Sequence, residues 1–139
     1  MEWLIFALLS AVSAAFVAIF GKIGIEDIDP TAATIVRAAI MFGVVFVVGL
    51  FTGRLPDISA IDMRTFSYIL LSGVAGGLSW IFYFIALRMG KASMVAPIDR
   101  LSMVFTVVLA ALILGEKVTR GIAVGTILMV IGAILVVLG

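Results

Sequence analysis

The feature that most constrains this chain is a series of long apolar runs that contain no charged residue. Three of these runs, 3–21, 65–87 and 121–139, have 19 residues or more. Because a helix needs roughly 20 predominantly apolar residues to cross about 30 Å of hydrocarbon, these three can span a bilayer unaided. Two further runs, 38–53 and 101–115, are shorter. They reach spanning length only if the polar residues that precede them also enter the membrane.

This requirement places three charged residues at membrane depth, Arg37 before the second run and Asp99 with Arg100 before the fourth. A content of 65% hydrophobic and 12% charged residues is far from the balance of a soluble domain. A buried parallel sheet would be accompanied by helices with a polar face, and a signal peptide would give way to a soluble domain. We therefore predict an all-α integral membrane protein in a lipid bilayer. Its five transmembrane helices are expected at about 3–23, 30–52, 64–88, 93–115 and 120–138, within a single domain of residues 1–139.

Several functional classes are disfavoured by the residues that the chain lacks. It contains no Cys and no His, which excludes disulfides, histidine metal sites and Ser-His or Cys-His catalysis. The net charge is +1 without a basic block, so no nucleic-acid partner is expected. No loop has the spacing of calcium ligands or of a phosphate-binding loop. We predict no cofactor, no metal and no enzymatic activity.

Helix starts and helix contacts can also be assigned. Asp29 suits the N-cap of the second helix with Pro30 at its first position, and Thr119 suits the N-cap of the fifth. Glycines separated by four residues let helices approach closely, so Gly73 and Gly77 are predicted to mark a contact. In the last helix a glycine-lined face is suited either to packing within the chain or to a subunit contact. That face includes Gly121, Gly125 and Gly132.

Polar and aromatic side chains inside the spans are the candidates for function. Trp80 and Tyr83 share a face of the third helix, where they serve packing, an interfacial aromatic belt or the lining of a ligand cavity. Pro97 cannot donate a backbone hydrogen bond, so it is predicted to kink the fourth helix or to begin it.

The charges near the proline need partners. Charged side chains at membrane depth are costly in contact with lipid. We predict a pairing of Asp99 with Arg37. One interpretation makes Asp99 a substrate or proton-coupling group, with Arg37 or Arg100 holding an anionic part of a substrate. The other makes these residues a structural ion pair, or lets Arg100 reach the membrane interface.

The distribution of positive charge does not favour one orientation in the membrane. With five spans, four basic residues fall on the side of the N-terminus and four on the other side. Because positive residues set the direction of insertion, this tie suggests insertion in both directions and pairing as an antiparallel dimer.

Four phrases of the sequence resemble successive parts of an EamA domain of the drug/metabolite transporter superfamily. They are W-L-I-F-A-L-L-S-A-V-S-A-A-F, D-P-T-A-A-T-I-V-R-A-A-I-M-F, F-Y-F-I-A-L-R-M-G-K-A-S-M-V-A-P-I and L-I-L-G-E-K-V-T-R-G-I-A-V-G-T-I-L-M-V-I-G-A-I-L-V. Their order along the chain is the specific feature, and the phrase A-P-I-D-R-L-S resembles half-length members of that family. The resemblance implies one half of a ten-helix inverted-repeat fold, whose usual cavity would require two copies.

Three functions are compatible with these observations. The first is a dimeric secondary transporter in a prokaryotic inner membrane that exports a small metabolite or drug-like solute, as a homodimer or with a similar half-size protein. The second resembles the small multidrug-resistance proteins, which exchange protons for cationic drugs through a glutamate in the first helix. This chain has no acid between Trp3 and Gly21, which argues against that mechanism. The third is a non-transporting scaffold or accessory subunit.

Overall fold

The computed structural model describes residues 2–139, and long helices dominate it. Five segments of 19 to 27 residues are long and apolar enough to cross a membrane. The described residues 2–139 contain no strand. The prediction of an all-α membrane protein with five spans is confirmed.

Four of the five spans are continuous helices, and the fourth is broken into pieces. The continuous helices are α1 (Glu2–Gly24), α2 (Pro30–Phe51), α3 (Met63–Met89) and α6 (Arg120–Leu138), and a short 3₁₀ helix (Leu55–Ala60) precedes α3. The fourth span, Ala92–Leu114, consists of α4 (Ala92–Asp99), α5 (Ser102–Leu109) and a π-helical turn (Ala110–Leu114).

Two helices begin at the capping residues that the sequence predicts. The Asp29 carboxylate accepts hydrogen bonds from the backbone N–H groups of Thr31 at 2.9 Å and Ala32 at 3.1 Å, and Pro30 opens α2. The Thr119 hydroxyl oxygen accepts a hydrogen bond from the N–H of Ile122 at 3.3 Å. Both caps satisfy donors that a helix N-terminus leaves without an intrahelical partner.

A glycine ends the fourth span. Gly115 has a φ of 69° and a ψ of 21°, a left-handed conformation that costs little without a Cβ atom. Its N–H and that of Glu116 both donate to the carbonyl of Ala110. The chain can therefore leave the helix within one residue and turn towards α6.

The chain forms two compact units, Met1–Arg88 and Met89–Gly139. In the described part of the first unit, the buried residues all lie near the C-terminal ends of α1 and α3 and the N-terminal end of α2. They are Ala18, Ile25, Pro30, Tyr83, Phe84 and Leu87. We call this region, residues 18–30 and 83–88, the packed end. The opposite halves of the three helices contain no buried residue, so the first unit is held together at one end.

Contacts between α1 and α3 hold the packed end together. The Lys22 ammonium donates to the carbonyl of Leu87 at 2.6 Å and to that of Arg88 at 3.5 Å. A Cβ atom placed on Gly21 would lie 3.1 Å from the Phe84 ring, so the glycine permits the close approach of the two helices. Because the C-terminal ends of α1 and α3 lie together, these helices run in the same direction.

The second unit is built around α6. This helix packs against α4 and α5, and Ala133 of α6 is buried. The short connection of residues 115–119 is consistent with an antiparallel arrangement of neighbouring helices.

Candidate substrate site

Arg37 is positioned by the N-cap of α2 and held by an aromatic ring of α3. It lies seven residues after Pro30, about 10 Å along a helix that rises 1.5 Å per residue. Its guanidinium carbon lies 3.3 Å from the centre of the Trp80 ring and 5.5 Å from that of Phe84. A cation over an aromatic face is attracted by the negative face of the ring, so this contact lowers the cost of placing a charge within a span.

Trp80 belongs to an aromatic cluster with Tyr83 and Phe84. The Trp80 and Tyr83 rings meet edge to face at 5.7 Å, and the Phe84 ring lies 6.0 Å from Trp80 and 6.1 Å from Tyr83. Tyr83 and Phe84 are buried. Trp80 and Tyr83 thus pack against each other and against Phe84, and the Trp80 ring also contacts Arg37, whereas their functional role stays a prediction.

A cavity of about 610 Å³ lies in the first unit, which is within the usual size range of small-molecule sites. Its walls come from α1, the loop after α1 and α2, together with Phe84 of α3. The lining residues are Ser13, Phe16, Val17, Phe20, Gly21, Gly24, Ile25, Ile28, Ala32, Ala33, Val36, Arg37, Ile40, Met41 and Phe84. Arg37 is the one charged residue among them, whereas Trp80 and Tyr83 do not line this cavity.

The loop of the packed end between α1 and α2 carries an ionised carboxylate outside the spans. The backbone N–H of Ala32 is the main cause that lowers the pKa of Asp29 below its ordinary value, and the hydrogen bonds of Thr31 and the charge of Arg88 act in the same direction. Asp29 therefore remains ionised at the N-terminus of α2, where the helix dipole also favours a negative charge.

The remaining candidate charges lie at the break in the fourth span. Asp99 is the last residue of α4, and Arg100 and Leu101 form a tightened turn before α5. The N–H of Leu101 donates to the carbonyl of Ile98 at 2.9 Å, one residue short of the usual α-helical partner. Pro97 lies inside α4, so the break comes one turn after the proline.

An ion pair is formed in the described part of the first unit, and it is not the pair that the sequence predicts. Arg54 and Asp57 form an exposed ion pair at 3.4 Å in the loop before α3. Such pairs contribute little to stability. The predicted pairing of Asp99 with Arg37 would join residues of the two units and stays a prediction.

The glycines that were predicted to mark helix contacts face open space within their own units. A Cβ atom on Gly73, Gly77, Gly125 or Gly132 would meet no atom of its unit within 4 Å, and one on Gly121 would meet only its neighbour Thr119. We call these the bare glycine faces. The contact at Gly73 and Gly77, and the choice on α6 between packing within the chain and a subunit contact, stay predictions.

Comparison with known proteins agrees with this architecture. The family model of EamA-like transporters matches residues 1–138. The chain belongs to the EamA-like transporter family. A protein of Sinorhizobium sp. named as an uncharacterized transporter in the cobO 3' region is 39% identical over 134 residues, which cover 96% of this chain and 95% of that protein.

A second relative of this EamA-like chain comes from Methanocaldococcus jannaschii. It is the uncharacterized protein MJ1333.1, which is 32% identical over 82 residues, or 59% of this chain and 60% of the relative. No solved structure matches. The family, the five spans and the relative named as a transporter identify the chain as a multi-pass membrane protein of a transporter family.

Sequence reasoning missed most of the cavity wall of this EamA-like protein. The α1 wall follows the period of a helix, with Ser13, Phe16, Val17, Phe20, Gly21 and Gly24 on one face. The α2 wall, with Ala33, Val36, Arg37, Ile40 and Met41, has the same period. For the α2 wall the sequence did contain a signal. Residues three or four positions from Arg37 share its face of the helix, so they could have been assigned to the same cavity.

Proposed function

We propose that this chain is one subunit of a secondary transporter that exports a small metabolite or drug-like solute. The observation that supports this proposal is the open, mostly apolar cavity of the first unit. Arg37 is the one charged residue of its described lining and lies about 10 Å along α2 from Pro30. An ionisable residue within a span, facing a cavity and not lipid, is a functional site by default. Membership of a transporter family supports the same function.

We further propose that two subunits assemble in opposite orientations. The bare glycine faces and the exposed apolar surfaces of the helices supply surface for a second copy or a similar half-size protein. The tie in positive charge between the two sides permits both orientations. The match to the relative from Sinorhizobium sp. covers 95% of that protein.

Asp99 is the proposed coupling residue. It lies at the C-terminal end of α4, where the helix dipole is negative and a carboxylate is unfavourable without a positive partner. A proton, a cation or a basic group of the protein can supply that charge. Broken helices in transporters commonly form the binding sites of substrates and ions. Energy would come from an ion or substrate gradient.

The test is flux into proteoliposomes that contain the purified protein. A panel of labelled amino acids, nucleosides, organic acids and cationic dyes is offered with and without a pH gradient. For any solute that is moved, Asp99→Asn should lower the stimulation of flux by the pH gradient, because an amide cannot take up and release the proton that a carboxylate can. Asp57→Asn, in the exposed loop, is the matched control and should not change flux. Equal flux through both variants would remove Asp99 from the mechanism.

A non-transporting accessory subunit is the second candidate. The bare faces at Gly73, Gly77, Gly125 and Gly132 favour it, because close helix contacts are what such faces offer. Absence of flux for the whole panel, with a protein that is folded and dimeric, would support this candidate against transport.

A further inference from the structure

The cavity of the first unit contains a cation that its own unit leaves without an anion. Within the described residues of that unit no carboxylate is paired with Arg37, and no hydrogen bond from its guanidinium is formed there. It contacts the faces of the Trp80 and Phe84 rings, and Tyr83 lies near enough to interact with its charge. A guanidinium that is stacked on a ring by its face keeps its in-plane N–H groups directed outward from its edge.

These N–H groups define the charge and the shape of the group that fits. Two parallel N–H donors match the two oxygens of a planar carboxylate, which gives a bidentate, charge-assisted contact. A dianion would leave one negative charge uncompensated among apolar walls, which is unfavourable. A cationic ligand would meet the charge of Arg37, and the face of Trp80 that could attract it is already covered.

The walls define the rest of the ligand. Phe16 and Phe20 lie with their rings stacked at 5.9 Å, and both line the cavity. The hydroxyl of Ser13 is the other polar side-chain group of the lining, and its proton is already donated to the carbonyl of Leu9 at 2.9 Å. The wall is therefore suited to a hydrocarbon or aromatic body without further charges.

We infer that Arg37 binds the carboxylate of an amphipathic monocarboxylic acid whose apolar body lies in the cavity between α1 and α2. This inference names the substrate class of the proposed transporter and so rests on the proposed function. Binding can nevertheless be measured without transport.

The experiment compares three probes that share one carbon skeleton, 4-phenylbutyrate, 4-phenylbutylamine and 4-phenylbutanol. Radiolabelled 4-phenylbutyrate is titrated against the full chain in nanodiscs of zwitterionic lipid, with empty nanodiscs as background, and the amine and the alcohol are used as competitors. We expect saturable binding of the carboxylate and competition by the amine and the alcohol that is at least about tenfold weaker, because both lose the charge-assisted contact.

Three variants locate the site. Arg37→Gln should weaken binding of 4-phenylbutyrate by about tenfold or more. Ala33→Phe keeps the charge but fills the cavity, and it should also weaken binding. Arg64→Gln, at the exposed start of α3 and outside the cavity, is the matched control and should bind as the wild type does. Unchanged binding by both cavity variants, or equal competition by the amine, would overturn the inference.

Two further measurements test whether an anionic lipid headgroup occupies the site and whether binding can be separated from transport. If nanodiscs with anionic phosphatidylglycerol abolish 4-phenylbutyrate binding, a lipid headgroup occupies the site and the inference is wrong. Saturable binding without flux would overturn the transporter but keep the site. Flux of other solutes without 4-phenylbutyrate binding would overturn the site but keep the transporter.

Discussion

At the scale of single residues, the contacts of Lys22 show how a basic side chain near a membrane interface can contribute to structure. Its ammonium completes the C-terminal end of α3 by donating to carbonyls that have no partner within that helix. A cation at this position also interacts favourably with the negative end of the helix dipole. The residue thus satisfies two requirements of α3 from a position on α1.

Replacing Lys22 tests this contribution. Lys22→Met keeps much of the length of the side chain but removes the donor, so it should lower the free energy of unfolding by about 1–3 kcal/mol. Thermal unfolding in detergent, followed by circular dichroism, measures the change. Lys117→Met, in the exposed connection of residues 115–119, is the control and should differ little from the wild type. Equal losses for both variants would contradict the assigned role of Lys22.

Asp29 gives a prediction about pH. Because the pKa of Asp29 is lowered in the folded chain, its ionised form stabilises the fold above the unfolded pKa of about 3.9, and this stabilisation is lost as the pH falls through the lower folded value. Asp29→Asn retains a capping oxygen that does not titrate. The stability of the wild type relative to this variant should therefore fall as the pH is lowered through and below the unfolded pKa of Asp29. Melting curves at several pH values measure it, and a constant difference would count against the N-cap as the cause.

At the scale of helices, the packed end depends on the lack of a side chain at Gly21. Gly21→Leu should lower the free energy of unfolding by about 1–3 kcal/mol, because the added atoms would overlap Phe84 and Leu87. Gly24→Leu is the matched control one turn later, where an added Cβ atom meets nothing within 4 Å. Chemical or thermal unfolding of both variants in the same detergent makes the comparison. A control that is destabilised as much as Gly21→Leu would show that glycine itself, and not the contact, is required.

Helix ends could be predicted from the sequence, and helix faces could not. Asp29, Pro30 and Thr119 have local signals, because the side chains of Asp29 and Thr119 accept hydrogen bonds in the first turn and the ring of Pro30 fixes a helical φ. The cavity wall on α1 has no such signal. Because a spanning helix is apolar on the lipid side and on the protein side alike, Phe16 and Phe20 look the same in the sequence as residues that face lipid.

The candidate site was predicted in part for the same reason. Arg37 stood out because a charge in a span is costly, and Trp80 because it is a large aromatic residue with a polar group. Their contact at 3.3 Å could not be predicted, because it depends on how α2 and α3 lie side by side. The sequence predicted a kink or a helix start at Pro97, whereas the structure interrupts the span at Arg100, about one turn later.

At the scale of the whole molecule, the bare face of α6 predicts a symmetric contact between copies. The chain has no cysteine, so a single introduced thiol reports its own contacts only. Gly125→Cys and Gly132→Cys, co-expressed as two separately tagged single variants, should form a mixed disulfide-linked dimer in native membranes after mild oxidation, because an antiparallel contact places residues on either side of the α6 midpoint opposite each other and the two Cα atoms of a disulfide must lie within about 7 Å. Ile131→Cys in place of Gly132→Cys, about 100° around the helix, is the control and should crosslink much less. Non-reducing electrophoresis gives the answer, and equal crosslinking of the two pairs would argue against a defined α6 interface.

The hydrogen bond from Lys22 to Leu87 also bears on the synthesis of the protein. The two residues are 65 positions apart, so at about 5–20 residues per second the ribosome needs roughly 3–13 s to deliver the acceptor after the donor. During that interval α2 is synthesised, but α1 and α2 cannot yet contact the C-terminal end of α3. The direction in which the first hairpin enters the bilayer can therefore be settled by the translocation machinery and the surrounding lipid before the nascent chain closes on itself.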